Sequence, residues 1–279
     1  ITSRGYLTEA YKLNAEWDQR LKTATIEKIS PETLFVDLSL KFQQKRQINA
    51  IDVDIYVNKV DDRNVDEALD LAHKLRSSAQ AWKMFDSTQH AIIRLLSSHP
   101  ENLLSVLNHR LEYGLFPDSY TINLLLDQYI VEKNYMVAAR LATLQMLQED
   151  FQHPVTKFMS LFACYKFLDN METFVDLIPP PPPPAEAQPT GKSKKKAEVK
   201  KIRVRYLRND FFDDHFDIKD TNHLLGKTFL YLAEEVRSVD EVLANSIELL
   251  GYALYQKYEK GSAFVSSQKK SFYKEAVDK

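Results

Sequence analysis

Similar residues recur every 35 positions across the first half of this 279-residue chain. Ala50, Phe85 and Tyr120 fall 35 apart, as do Val60, Leu95 and Ile130. The same step of 35 links Ala68, Leu103 and Ala138, then Leu71, Val106 and Leu141, then Ala72, Leu107 and Ala142. A fixed period of this size, with apolar residues at helical intervals inside it, specifies a stack of helix pairs. One pair cannot bury its own apolar face, so neighbours stack into a curved scaffold with a long groove. Such a scaffold points to a binder of an extended partner rather than to an enzyme.

Composition agrees with helices. Apolar residues make up 44% of the chain, enough for a sizeable core, and only 6 glycines occur. The single Cys164 excludes an internal disulfide and a Cys-rich zinc site, and fits a reducing compartment. No run of about 18 apolar residues is present, so no membrane span is expected. The chain opens at Ile1 with no visible targeting segment, which implies a removed leader or a later start.

The pattern divides the chain into an arm (1–29), a helical-repeat region (30–178), a Pro- and Lys-rich linker (179–201) and a C-terminal helical region (202–279). Ser30, Pro31 and Glu32 read as an N-cap, a first-turn proline and a first-turn acid, starting a helix over 31–44. Three pairs are expected at 48–60 with 65–77, 86–98 with 101–113, and 119–131 with 135–148. Asn64 with Glu67 suggests a capping box, and Asn134 a cap. A fourth pair begins at 155–167 and decays after it. Ala138, Leu141, Ala142 and Gln145 share one helical stripe whose alanines allow two backbones to approach closely. Six consecutive prolines, Pro179 to Pro184, end the helical pattern, and the polar stretch after them is too poor in apolar residues to fold alone. Helices resume at 221–235 and 239–260 and are expected to pack as a separate small unit.

Charge is unevenly spread. Lys192, Lys194, Lys195, Lys196, Lys200, Lys201, Arg203, Arg205 and Arg208 stand against one acid, Glu198. That stretch carries +8 in a chain of net −2, leaving −10 elsewhere. A concentrated basic strip on a mildly acidic body suggests one local anionic contact. Its cations can neutralise phosphates, and Tyr206, Phe211 and Phe212 follow as candidate stacking platforms. The opposing reading is a solvated linker or a basic targeting signal.

The run Gly114-Leu115-Phe116-Pro117-Asp118, then Tyr120-Thr121-Ile122-Asn123-Leu124-Leu125, resembles the join between two pentatricopeptide repeats. Asn64-Val65-Asp66-Glu67-Ala68-Leu69 resembles that family's second-helix opening. The same join, Trp82, and Leu250-Gly251-Tyr252-Ala253-Leu254 are similar to the pentatricopeptide-repeat members of the animal mitochondrial small ribosomal subunit. The resemblance implies an all-α, right-handed α-α solenoid of degenerate pentatricopeptide pairs with a smaller C-terminal helical unit. It further implies residence in the mitochondrial matrix, contact with ribosomal RNA and neighbouring ribosomal proteins, and no small-molecule substrate. Pentatricopeptide repeats read single-stranded RNA through polar side chains at set places. Carried over, those places are Asn123, Thr88 and Asp118, while the first unit has Val53, which forms no base-edge hydrogen bond. So few readers give little selectivity, and the scaffold is expected to have lost the code.

Two other classes stay open at this stage. One is a free organellar pentatricopeptide factor for messenger or transfer RNA. The other is a tetratricopeptide-like adaptor whose groove holds a protein segment. No catalytic, cofactor or metal set is discernible. His215 beside Asp213, Asp214 and Asp217 reads as a solvated acidic turn, and Gly191-Lys192-Ser193 and Gly226-Lys227-Thr228 lack the first glycine of a phosphate loop. Cys164, in an apolar helix, reads as a packing residue.

Overall fold

A computed structural model describes residues 5–174, 218–266 and 271–279. Every regular element among them is helical. Helices α1 (Glu9–Lys12), α2 (Asn14–Gln19) and α3 (Ala24–Glu27) are short pieces of an N-terminal arm. The body continues with α4 (Pro31–Gln43), α5 (Ala50–Lys59), α6 (Val65–Arg76), α7 (Asp86–Leu96), α8 (Pro100–Asn108), α9 (Arg110–Tyr113), α10 (Ser119–Val131), α11 (Tyr135–Leu147) and α12 (Pro154–Phe167). After residues 175–217 come α13 (Thr221–Val236), α14 (Glu241–Leu254), α15 (Tyr258–Ser266) and α16 (Lys274–Val277). The expected linker at 179–201 lies outside the described residues.

Local chemistry starts several helices where the sequence places them. The Ser30 hydroxyl accepts from the Thr33 amide at 3.4 Å, Asp118 from Thr121 at 2.8 Å and Asn134 from Val137 at 3.3 Å. Each satisfies an amide that the first turn leaves without an intrahelical partner. Gly114, at φ 73°, ends α9 and returns its N–H to the Arg110 carbonyl at 2.7 Å.

Three local expectations are corrected. Asn64 accepts no capping bond: it closes a 3-10 turn (Asp62–Asn64) and enters α6 at φ −105°, ψ 21°, away from the extended cap conformation. Its amide instead donates to Glu67 Oε2 at 3.0 Å, which also accepts a short bond from the Tyr56 hydroxyl. The helix expected at 101–113 breaks at His109, whose ring Nδ1 lies 2.9 Å from the Ser105 carbonyl oxygen. The break turns α9 onto α6, where Arg76 Nε donates to the Leu111 carbonyl at 3.1 Å. Finally, 239–260 is two helices, α14 and α15, separated where Gln256 adopts φ 57°.

Several helix contacts fall at the 35-residue spacing. First helices touch first helices (α5 with α7, α10 with α12) and second helices touch second (α6 with α9, α8 with α11). Four of the five periodic columns are buried, with no member above 7% exposed. The fifth splits: Ala50 is buried, whereas Phe85 directly precedes α7 and is 43% exposed. Helix α11 is buried continuously from Val137 to Met146. Ala138 and Leu141 join the main core, while Ala139, Ala142 and Met146 join a second core with Leu224, Leu225, Phe229 and Ile247 of α13 and α14. A helix buried on all sides requires cover on all sides, and α13 supplies the outer cover. Gly226 and Gly251 let α13 and α14 meet almost backbone to backbone: a Cβ at Gly226 would lie 2.5 Å from the Tyr255 nitrogen.

Candidate nucleic-acid interface

The first helices α5, α7, α10 and α12 each turn polar side chains toward the next pair, and these bond to one another. Ser87 and Thr88 hydroxyls both donate to Asp54 Oδ1 at 2.7 Å. His90 Nδ1 lies 3.3 Å from Thr121 Oγ1, and the Thr156 hydroxyl donates to Asn123 Oδ1 at 2.7 Å. Thr88 and Asn123, two of the places at which pentatricopeptide repeats read bases, are therefore spent on bonds between neighbouring helices. Thr88 and Asn123 are each 0% exposed, and Asp118 is exposed but spends a carboxylate oxygen on its helix cap. Nothing in this arrangement leaves Thr88 or Asn123 open to a base.

What covers Asn123 is the chain's own arm. The Asn123 amide donates to the Tyr11 hydroxyl at 2.9 Å, and the Tyr11 ring packs against Tyr120 at 5.4 Å. The Lys12 carbonyl accepts from Arg94 at 2.5 Å and from the Tyr120 hydroxyl at 3.1 Å. Farther along the arm, the Trp17 ring meets His90 edge-on at 5.6 Å, with the Arg20 guanidinium 3.5 Å over its face. At the other end a carboxylate reads the backbone of Tyr6 and Leu7: Asp127 Oδ1 accepts from the Tyr6 amide at 2.5 Å and the Leu7 amide at 3.1 Å. Asp127 Oδ2 holds the Lys12 ammonium at 2.8 Å. The arm bends at Leu13, which sits at φ 51° between α1 and α2.

The electrostatics fit this embrace. Burial, reinforced by the Arg94 cation, pulls the His90 imidazole from its ordinary 6.5 down to about 4. It is therefore neutral at pH 7; Arg94 Nε donates to its Nε2 at 2.9 Å, which leaves Nδ1 to carry the proton toward Thr121. Between arm and body a cleft of about 570 Å³ remains, lined by residues including Glu9, Lys12, Trp17, Arg94, Asp127 and Glu132.

A family model described as mitochondrial 28S ribosomal protein S27 matches residues 1–279. The chain belongs to that family. As an S27-family member it is a component of the mitochondrial small ribosomal subunit, located in the mitochondrial matrix, in agreement with the resemblance carried by residues 113–135. The remaining candidate contacts of this S27-family chain, Lys194, Lys195, Lys196, Lys200, Lys201, Arg203, Arg205 and Arg208, lie outside the described residues, as do His215 and its acidic neighbours. Trp82, which helped to carry the resemblance, stands 78% exposed with the Lys83 ammonium 5.0 Å from its ring centroid. Cys164 is buried in the second core, where desolvation pushes its thiol up to about 12.

Sequence reasoning did not find Asp127 or the arm's ligands. The available signal was a carboxylate after the apolar run Leu124-Leu125-Leu126, together with Tyr6, Tyr11, Lys12 and Trp17 in the arm. A lone acid in a buried helix requires a cation or donors nearby.

Proposed function

We propose that this S27-family chain is a non-enzymatic structural part of the small subunit, docking on ribosomal RNA and adjacent ribosomal proteins by shape and charge. Its repeat region, 30–178, is read as a right-handed solenoid of degenerate pentatricopeptide pairs, followed by the linker at 179–201 and a C-terminal helical region at 202–279. The observation that carries the reading is the family match over residues 1–279. The first-helix contacts and the buried periodic columns support it.

RNA contact is assigned to the basic strip, where several cations close together release counterions on binding phosphate. Trp82 and Leu111, 78% and 71% exposed, are candidate contacts for protein neighbours. The free-factor reading requires Thr88 and Asn123 to touch bases, and their burial within the repeat ladder argues against it. Charge reversal of Lys194, Lys195 and Lys196 tests the assignment. Crosslinking to ribosomal RNA and co-sedimentation with the small subunit should both fall at low salt, and the difference from the unaltered chain should narrow as salt rises. Unchanged crosslinking and sedimentation across that salt series would reject the strip as the RNA contact.

A further inference from the structure

We infer that the groove of this chain recognises polypeptide rather than RNA, and that residues 5–20 are its ligand, bound in cis and anchored by Asp127. The inference goes beyond the subunit role proposed above and does not depend on where RNA binds.

The groove's donors and acceptors match a peptide. Asp127 is 1% exposed and offers one oxygen to two successive backbone amides and the other to an ammonium. Consecutive N–H groups followed by a lysine are what a polypeptide presents and a nucleotide does not. Arg94 and Tyr120 complete the match by donating to a backbone carbonyl, that of Lys12. With the arm released, phosphates would in contrast meet the bare charge of Asp127 and, two pairs away, the carboxylate of Asp54. The fit at the anchor is close enough to specify glycine: a Cβ on Gly5 would stand 2.6 Å from Asp127 Oδ2. Charge is complementary at the anchor itself, where Lys12 of the arm meets Asp127 of the body.

The site thus selects a short stretch carrying a side-chain-free residue, a tyrosine that reaches Asn123, a lysine for Asp127 and a tryptophan for the His90 and Arg94 wall. While the arm is seated, the first-helix face is closed to any other extended ligand. A segment of the same chemistry from a neighbouring protein is the class of partner able to exchange with it.

The test keeps the full chain and leaves the groove intact. Gly5→Val combined with Lys12→Ala weakens the arm alone, and hydrogen exchange at the Tyr6 and Leu7 amides reports its release. A labelled synthetic peptide of residues 5–22 should then bind the double variant at least about tenfold more tightly than the unaltered chain, whose slot is already filled. Asp127→Asn in the double variant should remove that gain, and an oligouridine of about 12 nucleotides should not displace the peptide. Three results would overturn the inference: an arm that stays protected in the double variant, a released arm with no gain in peptide binding, or oligouridine taking the slot in the peptide's place. Helicity matched to the unaltered chain confirms that the body remains folded in each case.

Discussion

The Lys12 ammonium lies 2.8 Å from Asp127 Oδ2, joining the arm to the middle of α10 across 115 residues of sequence. The lysine side chain is 22% exposed and the aspartate 1%, so the acid depends on the arm far more than the lysine depends on the groove. Removing one partner of a buried pair costs about 3–5 kcal/mol when the other stays dry. Here release of the arm would rehydrate Asp127, which caps the loss at the arm's own docking free energy. Lys12→Ala should therefore lower stability by about 1–3 kcal/mol and increase exchange at the Tyr6 and Leu7 amides, with α10 amides unaffected. Loss of protection throughout α10 would show instead that the arm is integral to the core.

Gly226 meets Tyr255 and Gly251 with no room for a methyl group. In a helix interior, glycine to alanine normally adds about 1 kcal/mol of stability. At this position the Cβ would lie 2.5 Å from one backbone nitrogen and 2.9 Å from the Gly251 carbonyl oxygen, so repulsion wins. Gly226→Ala should lower the urea midpoint by an amount worth about 1–3 kcal/mol. A raised midpoint would contradict the packing of α13 on α14.

Ala138 is 0% exposed in α11, which is covered on both sides. Ala138→Leu should overpack the contact and destabilise by about 1–3 kcal/mol, read as a lower Tm. A neutral result would mean that the core around α11 has slack that close contacts of this kind exclude.

His90 sets an acid limit. Its folded-state value, about 4, lies below the ordinary 6.5, because burial and then Arg94 disfavour the charged ring; Asp118 acts in the opposite sense, and Arg20 adds to Arg94. The unfolded chain therefore binds this proton more readily, so stability is fully present above pH 6.5 and is lost as pH falls toward 4. One proton sets a slope of at most about 1.4 kcal/mol per pH unit, less for a ring that is only partly shielded from water. His90→Gln should flatten the Tm profile across that window. A profile unchanged by the substitution would remove His90 from the acid response.

Much of the helical body was legible in the chain. The columns through Ala68, Leu71 and Ala72 recur and are buried because a helix pair needs its neighbour's apolar stripe, and that need is written at fixed spacing. Caps at Ser30, Asp118 and Asn134 were equally readable, since each acts on an amide two or three residues away. The turn at His109 was not, because the contact it serves is distant: it carries α9 onto α6, where Arg76 holds the Leu111 carbonyl.

Sequence alone thus determined the helix pairs, their burial and the family, because periodicity and capping are local or repeat at constant intervals. Only the tertiary structure decided what fills the groove. Asn123 reads in sequence as a base contact and in space as a bond to Tyr11 and Thr156, and Asp127 acquires its meaning from Gly5, Tyr6, Leu7 and Lys12. A buried polar group is defined by the partner that desolvates with it, and here that partner lies more than a hundred residues away.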